Sequence, residues 1–376
     1  METRERLGIA VRTAREAVGL TQSALAAAAG FASLQIVSAI ETGQREVKAW
    51  ELAKLARALH TSIDTLLGLE EEAEPARVFW RRGSAGISGV REAQLRERAE
   101  RFALLEAWCD PPSAEELPDF SFDPRRSSFA DAERLALSLS RTLDLGSRPA
   151  VSLLRVLEER FRVKVFYDEL GDDQAAACVR GSFDAAVLLN AVQAPWRRNF
   201  SLAHELFHLV TWSAVISIWP PEGEPEWSER LEKLADVFAS HLLLPAAEVT
   251  AHLDARSADG READGTDVIA IAREFDVSTE ALAWRLVNLG RRDAEWAKTL
   301  LADPEFRRRD RLTMTTRWSR PSVPFPERYV RLALLAYEKD RLSLSRLAEV
   351  LETSIGEVYA RIEESELGEP AATPPA

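Results

Sequence analysis

Two histidines stand four positions apart in the stretch Phe200-Ser-Leu-Ala-His204-Glu205-Leu-Phe-His208-Leu-Val210, and a glutamate directly follows the first of them. Residues four apart lie on the same face of an α-helix, so both imidazoles can reach one zinc ion. The carboxylate of Glu205 can then face a water on that ion. The apolar residues of the stretch can bury the back of the helix. We therefore predict a metal-binding helix, with His204 and His208 as zinc ligands and Glu205 as the catalytic base.

A catalytic zinc site usually has three protein ligands and leaves the fourth position to water. Downstream, the segment from Ser228 to Pro245 has a helical pattern that ends at the proline. Glu232 and Asp236 share a face of this helix, so Glu232 can complete the zinc site while Asp236 orients a ligand histidine. His241 is the rival ligand, but it lies about 180° around the helix from Glu232, in an apolar run. We therefore favour Glu232 as the third ligand.

The amino-terminal region has a different pattern, with five short helices and glycines at three of the breaks between them. The predicted helices are Glu5 to Val18, Thr21 to Ala28, Ser33 to Glu41, Ala49 to His60 and Ser62 to Leu67. This pattern resembles the XRE-type, lambda-repressor-like helix-turn-helix domain. The resemblance implies that the third helix enters the major groove of DNA and that the amino end of the second meets the phosphate backbone.

The resemblance also indicates which side chains contact DNA. Gln22 is expected to bind a phosphate, and Gln35 to read a base, because its amide can pair with adenine through two hydrogen bonds. The other candidates for DNA contact are Thr21, Ser33, Ser38, Gln44 and Arg45. Val37 and Ile40 have the spacing of buried residues.

The third helix departs from the common pattern of such domains. It carries Leu34, Ile36 and Ala39 where polar or basic residues are frequent, and basic and acidic residues balance over the first 70 positions. The electrostatic part of DNA binding is therefore expected to be modest. A helix-turn-helix used only for dimerisation or docking is the alternative.

Two segments together resemble the ImmA/IrrE family of zinc peptidases. They are the run from Arg197 to Glu205 and the pattern Glu-x-x-Ala-Asp-x-Phe-Ala-x-x-Leu-Leu-Leu-Pro that ends at Pro245. The resemblance covers residues 120–290 and implies the same ligands and base as the spacing does. Family members are implicated in cutting helix-turn-helix repressors, in phage-like elements and in stress responses. Phe207 stands where family sequences often have glycine, which alters the wall of the cleft but removes no ligand.

Composition limits the classes of function. The chain has 376 residues, of which 46% are hydrophobic, so it can bury two or three cores. A net charge of −13 argues against nonspecific coating of nucleic acid or anionic membrane. No apolar run approaches the length of about 20 residues that spans a bilayer, and the first residues lack the layout of a signal peptide. We expect a cytoplasmic protein without membrane contact, in which Cys109 and Cys178 are ordinary thiols.

The predicted fold is multidomain. An all-α helix-turn-helix domain is followed by an α+β, zincin-like peptidase domain and a C-terminal helical module. Strands are expected at residues 163–167 and 185–189, and a long helix at residues 90–108. The expected boundaries are 1–68 for the helix-turn-helix domain, 69–115 for a linker and the long helix, 116–295 for the peptidase domain, 320–367 for the helical module and 368–376 for a disordered tail.

Two functions are compatible with these features. In the first, the protein is a DNA-binding regulator whose Zn²⁺-dependent endopeptidase domain cleaves a protein, such as a helix-turn-helix repressor or the chain itself. In the second, it is a transcription regulator whose peptidase-like domain senses a metal or a ligand with little turnover. The intact Glu205 favours the first, because a sensor needs no base. Operator DNA and a second copy of the chain are the other expected partners. Arg197, Arg198 and Tyr167 are candidates for stabilising the oxyanion.

Overall fold

The structure is a computed structural model that describes residues 3–69, 78–81, 89–109, 115–171, 176–217, 225–257, 262–314 and 325–360. The described residues form a small helical domain, a sheet with helices on both faces, and a helical carboxyl-terminal part. This confirms the predicted fold class. The proposed tail at residues 368–376 lies outside the described residues.

The first five helices form the amino-terminal domain: α1 (Thr3–Ala17), α2 (Gln22–Ala28), α3 (Leu34–Glu41), α4 (Ala49–Ala58) and α5 (Ile63–Leu67). Val37 and Ile40 are buried in its core, as their spacing predicted. Helices α1 and α3 approach closely at Gly8, where a Cβ atom would lie only 2.5 Å from the carbonyl oxygen of Ile40. Side chains cap two of the helices, because Thr21 accepts a hydrogen bond from the amide of Ala24 and Ser62 from that of Thr65.

One mixed sheet organises the next part of the chain. Its strands are β1 (Val78–Arg81), β2 (Lys164–Asp168), β3 (Ala176–Gly181) and β4 (Asp184–Asn190), in the order β1-β3-β4-β2. Strand β3 pairs antiparallel with β1 and β4, whereas β2 and β4 are parallel. The sequence predicted β2 and β4 but neither β1 nor β3.

Helices cover one face of the sheet and complete the larger core. They are α7 (Phe129–Thr142), α8 (Pro149–Glu159), α9 (Pro195–Val210), α10 (Trp212–Ser217), α11 (Pro225–Leu243), α12 (Ala246–Arg256), α13 (Gly265–Glu274), α14 (Thr279–Asn288), α15 (Ala294–Ala302) and α16 (Pro304–Met314). Helix α9 packs directly on β3 and β4. Cys178 and Val187 of the sheet share this core with Leu206 of α9. Helices α15 and α16 were not predicted.

Three further helices pack on the opposite face of the sheet. They are α6 (Gly89–Cys109), α17 (Glu327–Glu338) and α18 (Leu344–Val350). Phe166 and Leu188 of the sheet share a second core with Phe102 of α6 and Tyr329 of α17. The long helix predicted at residues 90–108 corresponds to α6, and the segment 69–115 also contains β1, which pairs with β3 in the sheet.

No single helix among the described residues is long and apolar enough to cross a membrane. One pair of helical segments, Glu229–Leu243 and Ala246–Arg256, has sufficient length and apolar composition when taken together, but the two segments are bent by 54° relative to each other.

Candidate metal centre

Helix α9 carries the two histidines inside the protein. It begins with Pro195, whose fixed φ angle suits the first position of a helix. At its other end the hydroxyl of Thr211 donates to the carbonyl of Phe207, at 2.8 Å. Every residue from Ser201 to Val210 is buried, including both histidines and Glu205. Polar groups in such a helix need partners, since burying them alone is costly.

The two imidazoles converge on one carboxylate. The Nε2 atoms of His204 and His208 lie 3.2 Å apart. Glu232 of α11 places one oxygen 3.2 Å from Nε2 of His204 and the other 3.3 Å from Nε2 of His208. Ligand atoms around a tetrahedral zinc ion, with bonds of about 2.0–2.2 Å, are separated by about 3.3 Å. The residues present therefore fit a metal of this kind.

Asp236 fixes the orientation of one of these imidazoles. Its Oδ1 atom lies 2.9 Å from Nδ1 of His204, one helical turn beyond Glu232 on α11. A carboxylate at this nitrogen keeps the proton on Nδ1 and leaves the lone pair of Nε2 free for a metal. The side chain of Asp236 is 51% exposed. The candidate metal-binding group, formed by His204, His208 and Glu232, therefore lies close to solvent beside α11.

Glu205 is fully buried, and no nitrogen or oxygen atom of the described residues forms a hydrogen bond with its carboxylate oxygens. Its polar neighbours are the two histidines and the thiol of Cys178 on β3. Burial raises the pKa of Glu205, and the charges of His204 and His208 oppose that rise. A buried carboxylate beside three converging candidate ligands indicates a functional group that forms a hydrogen bond with a water or a substrate in the site.

The electrostatics of the ligands differ from those of Glu205. Burial favours a higher pKa for Glu232, but hydrogen bonds with His204 and His208 outweigh it and hold the pKa below its usual value. Burial raises the pKa of the Cys178 thiol, and the charge of Glu205 raises it further. The anionic form of Glu232, which is the form that can bind a metal, is therefore favoured, whereas the neutral thiol form of Cys178 is favoured.

The rival ligand His241 lies elsewhere. Its Nδ1 bonds the carbonyl of Val237, at 2.8 Å, and its Nε2 lies 3.5 Å from Glu133 of α7. Burial lowers the pKa of His241, and the neighbouring Arg285 lowers it further. The structure thus brings Glu232, and not His241, to the two imidazoles.

The three oxyanion candidates occupy two different places. The guanidinium of Arg198 stacks on the ring of Tyr167, 5.6 Å from its centre. Burial raises the pKa of Tyr167 to about 12. Arg197 is exposed and lines a cavity of about 440 Å³ between α9, α11 and α14.

That cavity adjoins the metal-binding group. Trp196, Phe200 and Trp284 supply apolar walls, while Ser201 and Asp236 lie on the side of His204. A volume of this size suits a small molecule or a few residues of a peptide. This cavity could not be predicted from the sequence, because its walls come from three separate helices.

The DNA-contact candidates divide into exposed and internally bonded groups. Gln35 and Gln44 are exposed, and Ser33 and Ser38 are partly buried on α3 or at its start. Thr21 caps α2, and Gln22 donates to the carboxylate of Glu41, at 2.8 Å. Arg45 donates to the buried Glu51, at 2.7 Å. Gln35 and Gln44 are thus the candidates most available to a ligand.

Glu41 is a buried acidic residue that the sequence analysis missed. It accepts hydrogen bonds from Arg15 and Gln22 and so ties α1, α2 and α3 together. The hydrogen bond that Arg15 donates to Glu41 raises the pKa of Arg15. The only indication in the sequence is that Glu41 directly follows Ile40, a residue whose spacing predicts burial.

Fold and site together define a helix-turn-helix protein with a metallopeptidase-type domain. The chain carries the two domains of the ImmA/IrrE type of fusion, because residues 6–67 match a helix-turn-helix domain model and residues 158–287 match the model of the IrrE N-terminal-like domain. The resemblance seen in the sequence is thereby confirmed.

Two solved structures are similar to parts of the chain. A Mycobacterium tuberculosis transcriptional regulator is 20% identical, with a TM-score of 0.31, over 50% of this chain and 51% of its own. The chain thus spans about half the length of that protein. The apo form of ComR from S. thermophilus is 11% identical, with a TM-score of 0.17, over 83% of this chain and 94% of its own. No curated protein matches the chain.

Proposed function

We propose that the protein is a DNA-binding regulator whose second domain is a zinc-dependent endopeptidase. The observation that carries this proposal is the convergence of His204, His208 and Glu232 beside the fully buried carboxylate of Glu205. Two imidazoles and one carboxylate are a donor set that zinc accepts in hydrolytic enzymes. A site that only held a metal would not need Glu205.

The chemistry follows from these residues. Zinc, when bound, would polarise the scissile carbonyl and make water more acidic. Glu205 accepts the proton of the attacking water and delivers it to the leaving amine. Because burial raises the pKa of Glu205, the carboxyl is a better proton acceptor than an exposed glutamate. Asp236 keeps His204 in the tautomer that binds metal.

The substrate we propose is a protein, such as a helix-turn-helix repressor in a stress or phage-related response. The cavity beside Asp236, with Trp196 and Trp284 in its walls, can hold apolar side chains of such a chain. The amino-terminal domain supplies operator binding, through Gln35 and the other exposed candidates on and around α3.

A direct experiment tests this function. Metal-loaded full-length protein is incubated with purified candidate helix-turn-helix repressors, with and without EDTA, and products are mapped by mass spectrometry. We expect discrete fragments that EDTA abolishes. Stoichiometric zinc with no cleavage of the repressor, of casein or of the chain itself would instead favour the metal- or ligand-sensor function, which the nearly complete burial of both imidazoles also suits.

The Asp236→Asn variant should bind zinc about 10–100-fold more weakly. Without the charged acceptor, the proton of His204 is no longer held on Nδ1 and the ring is less firmly oriented. Zinc affinity is measured by competition with a chromophoric chelator. The matched control is Glu229→Gln on the same helix. Glu229 is exposed, and its Oε2 atom forms a long surface ion pair, 3.8 Å, with Nζ of Lys233. Equal affinities for Asp236→Asn and the parent would contradict the role of Asp236.

The Gln35→Ala variant should lose about 1–3 kcal/mol of specific DNA affinity, because Gln35 is exposed on the helix proposed to enter the major groove. The operator is first selected from random DNA with the parent protein, and affinities are then compared by fluorescence anisotropy. Binding to unrelated DNA is the internal control and should not change. Equal losses on both DNAs would show that Gln35 does not read a base.

A further inference from the structure

Strand β1 covers the outer edge of β3. Its register places Val78 opposite Val179, Phe79 opposite Cys178, and Arg81 opposite Ala176. Because β1 is the last strand in the sheet order, β3 would be the edge strand without it. An uncovered edge strand presents a row of unpaired backbone N–H and C=O groups and can bind another extended chain.

This edge of β3 runs beside the proposed catalytic base. The thiol of Cys178 lies next to the buried carboxylate of Glu205, and the residue opposite Cys178 in the register is Phe79 of β1. A general base must lie within hydrogen-bond reach of the water that it activates. An extended polypeptide paired with β3 at Cys178 therefore has its backbone close to the reacting groups.

The segment that holds this position has the form of a peptide ligand. It is only four residues long, and β3 is its single strand partner among the described residues. Its sequence, Val78-Phe-Trp-Arg81, is rich in residues that favour extended structure. Strand addition of this kind gives affinity through main-chain hydrogen bonds and accepts many sequences, which suits an enzyme that cuts a protein.

We propose that β1 is an internal occupant of the edge where the protein substrate pairs with β3, so that cleavage requires its displacement. This inference rests on the proposed peptidase function. It makes the site latent in the state described by the structure, and it identifies the substrate segment as one that can adopt an extended conformation.

The first test measures binding and needs no turnover. The probe is a fluorescein-labelled peptide that copies residues 76–83, added to metal-loaded full-length Glu205→Gln protein with and without the double change Phe79→Pro and Trp80→Pro. Prolines remove backbone donors and are disfavoured within a paired strand. We expect the peptide to bind the proline variant at least about tenfold more tightly. When β1 occupies the edge of β3 for most of the time, the apparent affinity equals the intrinsic affinity multiplied by the small fraction of free sites. Equal affinities would overturn the proposal.

The second test locks β1 in place and guards against misfolding of the proline variant. Val78→Cys with Val179→Cys places two thiols on directly opposed residues, on the sheet face that also holds Phe102. Casein cleavage should fall when this disulfide forms and return with a phosphine reductant, while Val179→Cys alone should be insensitive. Unchanged cleavage in the locked protein would overturn the proposal. Peptide binding without any casein cleavage would instead refute the peptidase function and leave the strand exchange standing.

Discussion

Glu205→Gln is expected to lower peptide-bond cleavage by about 10²–10⁴-fold, the usual contribution of a general base, while zinc content stays at the parent level. Glutamine has the same shape but cannot accept the proton of the attacking water. Glu205 lies outside the group of three converging ligands, so its replacement removes no donor to the metal. The same residue should set the acid limb of the pH profile. The rate should fall as the pH decreases and Glu205 becomes protonated, because only the carboxylate form accepts the proton of the attacking water.

The measurement is the rate of fragment formation from the repressor or from labelled casein, with zinc determined by mass spectrometry on the same samples. Glu229→Gln serves as the control, because it makes the same chemical change at an exposed position on α11, three residues before Glu232. Undiminished cleavage by Glu205→Gln, or loss of zinc equal to that of His208→Ala, would remove Glu205 from the role of base.

The candidate metal-binding group of His204, His208 and Glu232 could be predicted from the sequence because its geometry is largely local. His204 and His208 are fixed relative to each other by one turn of α9, and Glu232 and Asp236 by one turn of α11. Only the contact between the two helices had to be supplied by the resemblance. The structure adds the 3.2 Å separation of the imidazole nitrogens and the complete burial of Glu205.

Strands β1 and β3 could not be predicted for a physical reason. Strand β3 begins with Ala176 and Ala177, which have little preference for extended structure, and its pairing depends on β4 and α9. Strand β1 has residues that favour extended structure, but it is four residues long, and among the described residues it pairs with a segment about 100 positions away. The sequence of β3 and the short length of β1 therefore leave both strands dependent on tertiary contacts.

The helix-turn-helix contacts show a related limit. The resemblance to helix-turn-helix domains predicts that Gln22 and Arg45 contact DNA. In the structure these side chains donate hydrogen bonds to the buried glutamates Glu41 and Glu51. Sequence patterns treat glutamate as a surface residue, and its burial becomes visible only when the partner from another helix is known.

Glu106→Gln should destabilise the sheet layer by about 3–5 kcal/mol, the typical cost of removing one partner from a buried ion pair. Glu106 of α6 is 5% exposed and lies 3.0 Å from the Nζ atom of Lys164, which is fully buried on β2. The other oxygen of Glu106 pairs with Arg328 of α17. One carboxylate therefore neutralises two cations and joins three elements on the face of the sheet opposite α9.

Loss of that carboxylate leaves the charge of Lys164 with the carbonyl of Arg162, at 3.0 Å, and the exposed Asp184, at 3.6 Å. Unfolding of the full chain in urea, followed by tryptophan fluorescence, measures the effect. The control is Glu115→Gln, whose two hydrogen bonds with Arg160 lie at the surface, where solvent screens them, so that this change should have little effect on stability. A loss no larger than that of the control would show that water or a rearranged side chain already screens Lys164, and that the helices α6 and α17 are held on the sheet by their apolar faces alone.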